Sequence, residues 1–252
     1  MSTLLKLTFS CLKALPLFLR IPLAQLFFVA FMSAKKNYRR EINRNYQLLT
    51  GRPRPSFWIK NALTLAKNCA LMLEIGNRND EMILDRVEIK GENNLMAAYQ
   101  KGRGVVVVSL HFGPWEFLPQ VFARKGYPVA IAAQPQRNGW FDEQLLKIRN
   151  RRPITVTDRI GEMKHTLKTG ALLGFLLDNS SKTRKLETGW LWPEFRVLRT
   201  PFALSAIMHS PIVPMMVYNR GLTPVVEIGT DWDFFKTTLA RYPEEWVFFG
   251  KQ

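Results

Sequence analysis

The sequence lacks the motifs of several large enzyme classes. It has no G-x-S-x-G segment, which argues against an α/β-hydrolase serine, and no P-loop or G-x-G-x-x-G segment, which argues against nucleotide binding. Its three histidines, His111, His165 and His209, and its two cysteines, Cys11 and Cys69, form no cluster with metal-ligand spacing. We therefore expect no metal and no cofactor, and two reduced thiols in place of a disulfide.

No apolar run near the N-terminus is long enough to cross a bilayer by itself. The longest uncharged stretch, Ile21–Ala34, is shorter than the ~20 residues of a spanning helix. Lys13 and Arg20 interrupt the apolar sequence before it, and no cleavage site of a secretory signal follows it. We expect residues 1–34 to form an in-plane or shallowly inserted helical anchor. A tilted span with snorkelling basic side chains and a buried core helix are the alternatives.

Acidic residues are scarce in the first quarter of the chain. Residues 1–60 hold eleven Lys or Arg and a single acid, Glu41, so +10 of the net charge of +16 lies there. These charges alternate with Leu, Phe and Pro, a pattern typical of a membrane-surface element. Nucleic-acid binding would instead need basic residues on one face with exposed aromatic side chains. We therefore expect an anionic membrane surface as a partner and no nucleic acid.

The remainder of the chain alternates between strand and helix patterns. The apolar run Val105–Leu110, bounded by glycines, predicts a strand buried on both faces, as in a parallel sheet. Other strands are predicted at Val87–Lys90, Tyr127–Ala133, Ile154–Val156, Ala171–Leu177, Ile212–Tyr218 and Val225–Ile228. Helices are predicted at Glu116–Lys125, Phe141–Asn150, Gly161–Lys168 and Phe202–His209. Residues 35–252 are thus expected to form one α/β domain, with a layered, mostly parallel central sheet flanked by helices.

The segment SLHFGPWE carries the most informative chemistry. His111 follows the buried strand and precedes a Gly-Pro turn, at the edge of the sheet where α/β proteins bind ligands. Glu116, at the start of the next helix, is expected to fold back onto the imidazole and make it a general base toward an alcohol. Backbone N–H groups of Phe112 and Gly113 are candidate oxyanion donors. The alternative is a histidine that caps a strand and an ordinary first-turn acid.

Several segments, taken in order, resemble the late lipid A acyltransferases, the lauroyl and myristoyl transferases, whose superfamily includes the phosphatidylinositol mannoside acyltransferases. HFGPWE resembles their His-x4-Glu motif, although Pro114 stands where asparagine is common. Pro201 likewise replaces a glycine of the family. The other matching segments are NRNYQLLTGRPRPSFWIKNALTLAKNCALMLE, QPQRNGWFDEQLLKIRN, FLLDNSS, FRVLRTPFALSAIMHSPIVPMMVYNR and PEEWVFFG.

The resemblance implies a membrane-bound enzyme at the cytoplasmic face of the inner membrane. It implies an acyl carrier protein thioester as donor and a glycolipid hydroxyl as acceptor, with His111 and Glu116 as the catalytic dyad. Arg149 and Asp178 match two further active-site positions. Asp178 ends an apolar run and should project into the crevice of His111, while Arg149 would pair with Asp178 or bind an acceptor phosphate.

One competing hypothesis has the same fold without catalysis. A basic protein that binds membranes or glycolipids would explain the charge and the apolar N-terminus equally well, but it does not require an intact pair of His111 and Glu116. The acceptor lipid, the acyl chain length and the choice between acyl carrier protein and coenzyme A stay open at this point.

Overall fold

The computed structural model describes residues 13–75, 80–136, 138–150, 152–178, 185–187, 191 and 195–247. Cys11, the first part of the predicted anchor and Asn179 of the FLLDNSS segment lie outside these ranges. Cys69 is a free thiol.

Within the described residues, four helices precede the first strand: α1 (Leu17–Ser33), α2 (Lys36–Thr50), α3 (Phe57–Met72) and α4 (Asp80–Asp85). Helix α1 packs against α3 and buries Ala24 and Met32. Arg20, which interrupts the apolar sequence, is also buried: it forms an ion pair with Glu74 and donates a hydrogen bond to the carbonyl oxygen of Leu15 at 2.6 Å. The arginine therefore ties α1 to the end of α3 and does not reach toward solvent.

Strands and helices then alternate along the chain. The strands are β1 (Glu88–Lys90), β2 (Val105–Ser109), β3 (Val129–Ala132), β4 (Ile154–Thr157), β5 (Leu172–Leu176), β6 (Lys185–Glu187), β7 (Arg196–Leu198), β8 (Ile212–Arg220) and β9 (Thr223–Ile228). The helices are α5 (Glu92–Tyr99), α6 (Phe117–Arg124), α7 (Gly139–Arg149), α8 (Ile160–Lys168), α9 (Thr200–Met208) and α10 (Asp233–Arg241), followed by a 3-10 turn at Pro243–Glu245.

Seven of these strands form one mixed sheet in the order β1-β9-β8-β2-β5-β3-β4. All neighbours are parallel except β8 and β9, which form an antiparallel hairpin. Strands β6 and β7 pair antiparallel in a separate ribbon. Every residue of β2 is buried, as the apolar run predicted, because the strand lies at the centre with helices on both sides. The α/β fold with a mostly parallel sheet is thus confirmed.

The two faces of the sheet carry separate apolar cores. Val106, Val108 and Leu173 belong to the core that includes side chains of α2, α3, α8, α9 and α10. Val107 and Leu172 point the other way and pack with side chains of α5 and α6. The alternation along each strand decides which residues can line a cavity on the α6 side.

The predicted elements occur where the periodicity indicated, within a few residues at each end. Strands β6 and β7 and helices α4 and α10 were not predicted, because each is short and lacks a sustained apolar pattern. Among the described helices, none is long and apolar enough by itself to cross a bilayer. Helices α1 and α2, bent by 99° at the break between them, reach the required length and composition only as a pair.

The loop after β2 lies against the backbone of β8. Gly113 has a φ of +59°, and a Cβ atom at this position would overlap the carbonyl oxygen of Val217. Only glycine fits this close approach, which places the loop that begins with His111 over the end of the central strands.

We therefore expect Gly113→Ala to destabilise the fold strongly. The substitution adds a steric overlap, costing about 1–3 kcal/mol, to the ~1–2 kcal/mol of a left-handed alanine. Gly102→Ala is the matched control, because Gly102 has a φ of +67° and nothing within 4 Å of the place that an alanine Cβ would occupy. Urea unfolding of both variants measures the difference, and equal losses would contradict the assigned contact.

Candidate active site

The register of two parallel strands brings His111 and Asp178 together. Ser109 at the end of β2 pairs with Leu176 at the end of β5, and each polar residue follows two positions later. The backbone N–H of His111 donates to both carboxylate oxygens of Asp178 at 3.1 Å. The ring Nδ1 lies 2.8 Å from Oδ1 of the same carboxylate. This contact favours the tautomer with the proton on Nδ1 and leaves Nε2 as the basic nitrogen.

Asp178 is almost completely buried, with 4% of its surface exposed. Burial alone would raise its pKa, but the charge of the His111 ring and hydrogen bonds from that ring, from Trp246 and from the His111 backbone outweigh it. The net result is a pKa below the ordinary aspartate value. The carboxylate is therefore held ionised beside the imidazole, although it has lost nearly all contact with water.

The C-terminal segment holds this loop from the other side. The indole N–H of Trp246 donates to Oδ2 of Asp178 at 2.9 Å, and Trp246 forms an isolated antiparallel bridge with Phe112. The N–H of Val247 donates to the carbonyl oxygen of His111 at 3.0 Å. Trp246 was not predicted from the sequence as a site residue, because only the resemblance of PEEWVFFG to a closing segment pointed to this region.

Glu116 and Arg149 form a second buried pair at the same end of the sheet. Nε of Arg149 donates to Oε2 at 3.1 Å and Nη2 donates to Oε1 at 2.6 Å, so the pair is bidentate. Burial works against the charge of Arg149, but the charge and hydrogen bonds of Glu116 raise its pKa above the ordinary value. Two parallel hydrogen bonds therefore fix the orientation of both side chains at the site.

These contacts correct the pairing that we expected from the sequence. The carboxylate on Nδ1 of His111 belongs to Asp178 and not to Glu116, because the β2–β5 register aligns the residues that follow the two strands. Both oxygens of Glu116 instead face Arg149 at the end of α7, so Arg149 pairs with Glu116 and not with Asp178. Asp178 does project into the crevice of His111, as predicted.

The expected oxyanion donors are engaged in other bonds. The N–H of Phe112 donates to the carbonyl oxygen of Leu110 at 2.7 Å, and the N–H of Gly113 donates to that of Glu245 at 2.8 Å. Neither group is therefore free to stabilise an oxyanion in this conformation. The prediction failed for Gly113 because the C-terminal segment pairs with this loop, and for Phe112 because the turn after β2 closes on the carbonyl oxygen of Leu110.

A cavity of about 900 Å³ opens at the site. His111, Glu116 and Arg149 line its polar end, and Trp115 packs edge-to-face on the His111 ring at 5.2 Å between centroids. Away from these groups the wall is mixed, because Gln134, Gln136, Asn138, Asp158 and Thr200 also line it. Its apolar part on the α6 side is formed by α6 and by the strands β2, β3 and β5, and includes Val107, Leu118, Phe122, Val129, Ile131 and Leu172. Within the described ranges, no three His, Cys, Asp or Glu side chains are grouped to hold a metal ion.

A histidine that contacts a buried carboxylate lines a cavity at the ends of the strands of an α/β sheet, which is an arrangement typical of a small-molecule site. The family model of bacterial lipid A biosynthesis acyltransferases matches residues 8–249. The chain belongs to this family, and membership makes it an acyltransferase of lipid A biosynthesis. A search of individual curated proteins returned no match.

The hydrogen bond from Trp246 yields a prediction for the pH dependence of stability. Trp246→Phe keeps an aromatic ring in the core but removes the donor to Oδ2, so the pKa of Asp178 should rise toward its ordinary value of 3.8. A lowered folded-state pKa contributes stability that is present above the unfolded-state pKa and is lost as the pH falls through the folded-state value. The variant should therefore lose this contribution at a higher pH than the wild type.

Urea unfolding at a series of acidic pH values measures this shift. Trp58→Phe is the matched control, because Trp58 is half-buried and its ring contacts Arg39 rather than Asp178. If the free energy of unfolding of both variants depends on pH in the same way as that of the wild type, the indole N–H does not lower the pKa of Asp178.

Proposed function

We propose that the protein transfers a fatty acyl chain from an acyl carrier protein thioester to a hydroxyl of a lipid A precursor or a related glycolipid. We place this reaction at the cytoplasmic face of the inner membrane. The observation that carries the proposal is the His111 ring, oriented by Asp178 at 2.8 Å, at the polar end of a cavity of about 900 Å³ with an apolar wall on the α6 side.

In the proposed reaction, Nε2 of His111 accepts the proton of the acceptor hydroxyl as the oxygen attacks the thioester carbonyl. The new C–O bond gives a tetrahedral oxyanion, which collapses as the C–S bond breaks. The departing thiolate takes the proton from the imidazolium, so an ester and a free thiol leave the site. Asp178 stabilises the imidazolium that forms between these two proton transfers.

Glu116 is the second proposed catalytic residue, and its contacts suggest a part other than orientation of the ring. Glu116 lines the same cavity as His111, and its carboxylate is fixed by Arg149 through two hydrogen bonds. A fixed carboxylate in this position can accept a hydrogen bond from the acceptor hydroxyl and hold it toward Nε2. In this scheme Arg149 acts through Glu116 as a positioning residue.

We expect His111→Ala to lower acyl transfer by at least about a hundredfold, because the general base is lost. His165→Ala is the matched control, since His165 lies exposed on α8 and should leave the rate unchanged. Mass spectrometry of lipid A from cells producing each variant, with the purified proteins compared by circular dichroism, measures the effect. Full acylation by a folded His111→Ala variant would refute the mechanism and favour the non-catalytic membrane-binding alternative.

The membrane part of the proposal depends on the outer face of α1. Phe18 and Leu26 expose 73% and 70% of their surface, and four further apolar side chains of the helix are exposed. The exposed apolar side chains are Phe18, Leu19, Leu23, Leu26, Phe27 and Phe31. Exposed basic residues follow at once at the start of α2, and Lys35 lies over the Phe31 ring at 5.6 Å. This combination suits an in-plane helix on an anionic bilayer.

We expect the double substitution Leu26→Ser and Phe27→Ser to weaken vesicle binding at least about tenfold. Each substitution removes part of the ~1.5–3 kcal/mol that is gained when the apolar side chain is buried in the bilayer. Leu222→Ser is the matched control, because Leu222 is 54% exposed but belongs to the β8–β9 turn and not to α1. Sedimentation with phosphatidylglycerol-containing vesicles measures the binding. Unchanged binding of the double variant would remove α1 as the docking face.

A further inference from the structure

The cavity floor consists of three adjacent parallel strands whose register is known. On the side facing α6, Val107 of β2 pairs with Gly174 of β5, and Gly174 pairs with Ile131 of β3. Leu172 and Val129 form the next row, farther from the catalytic end. All five residues line the cavity. Gly174 therefore lies in the middle of the floor, between the polar end and the far apolar end.

Gly174 is partly exposed, although its strand lies between two others in the sheet and its neighbours Leu173 and Phe175 are buried. Gly174 is exposed to the cavity, since it is one of the residues that line it. Glycine inside a strand weakens it, and often marks a place where a ligand approaches the backbone closely. The partial exposure of Gly174 to the cavity favours close approach of a ligand as the reason for glycine at this position.

Neither backbone conformation nor packing requires glycine here. The φ of Gly174 lies outside the left-handed region in which other residues are strained. A Cβ atom would lie 3.6 Å from Cγ2 of Ile131 and 3.7 Å from the carbonyl oxygen of Ala130, which are ordinary van der Waals contacts. By contrast, Gly113 and Gly104 have backbone atoms where their side chains would be. Because Gly174 has no side chain, the cavity floor has a gap at this position.

We propose that Gly174 determines the acyl chain length that the enzyme selects, an inference that rests on the proposed function. The missing side chain lets the hydrocarbon chain cross β5 between Val107 and Ile131 and reach Leu172 and Val129. Along β2, Val105 lies four residues from Ser109, so the path from the catalytic end of the cavity to this level is about 13 Å long. A side chain at position 174 closes this path part of the way down, so the tail of a long chain no longer fits.

The test compares Gly174→Ala and Gly174→Val with the wild type on saturated acyl donors that differ by two carbons. For transfer, lipid A from cells producing each variant is analysed by mass spectrometry. For binding, purified protein is titrated calorimetrically with S-alkyl pantetheine thioethers of the same lengths, which cannot react. Gly161→Ala is the matched control, because Gly161 is exposed on α8 with open space at its Cβ position.

We expect Gly174→Ala to weaken binding of the longest chain that the wild type accepts by at least about tenfold relative to the chain two carbons shorter, since one methylene of misfit discriminates on this scale. Gly174→Val should shift the preferred length further down, and the lipid A product should shorten in parallel. Because alanine suits a strand better than glycine, the melting temperature of Gly174→Ala should not fall.

An unchanged length preference in both folded variants would overturn the role of Gly174, even if His111→Ala abolishes transfer and the proposed function stands. The converse result is also distinguishable. If the wild type binds the thioethers with the expected length dependence but His111→Ala still transfers acyl chains, the cavity assignment survives and the proposed chemistry does not.

Discussion

The parallel pairing of β2 with β5 is the constraint on which the site depends. Because Ser109 pairs with Leu176, the chain leaves both strands at the same level of the sheet, and His111 meets Asp178 two residues later. No local feature of either segment holds the two residues together. A shift of one strand by one residue in this register would turn the side chains of that strand to the opposite face and separate the imidazole from its carboxylate.

A buried polar network connects this pair to the rest of the molecule. Asn61 on α3 donates to the carbonyl oxygen of Trp246 at 2.7 Å, and Trp246 donates to Asp178. Two turns farther along α3, Asn68 donates to the Glu245 carboxylate at 2.7 Å. Burial raises the pKa of Glu245 more than its partners Lys67, Asn68 and Asn219 lower it. The helix that supports α1 thus also fixes the C-terminal segment beside the candidate active site, so α1 and the site share one support.

The carboxylates of Asp178 and Glu116 occupy different positions in the candidate site and are therefore suited to different tasks. Both are almost completely buried, but Asp178 contacts Nδ1 of the His111 ring, where it orients and stabilises the imidazole. Glu116 lies on the cavity side and is balanced by Arg149, so it can face a substrate without leaving an uncompensated buried charge. On the α6 side of the same sheet, small and branched side chains leave room for an apolar chain beside these charges.

The sequence by itself determined the α/β class, the buried central strand, the basic and apolar N-terminus and the position of His111 at a strand end. These follow from periodicity and composition, which are local properties. Only the tertiary structure decided that Asp178 rather than Glu116 contacts the ring, that Trp246 completes the pair, and that Gly174 opens the cavity floor. These relationships join residues from elements far apart in the chain, and sheet order and register, which local patterns do not encode, bring them together.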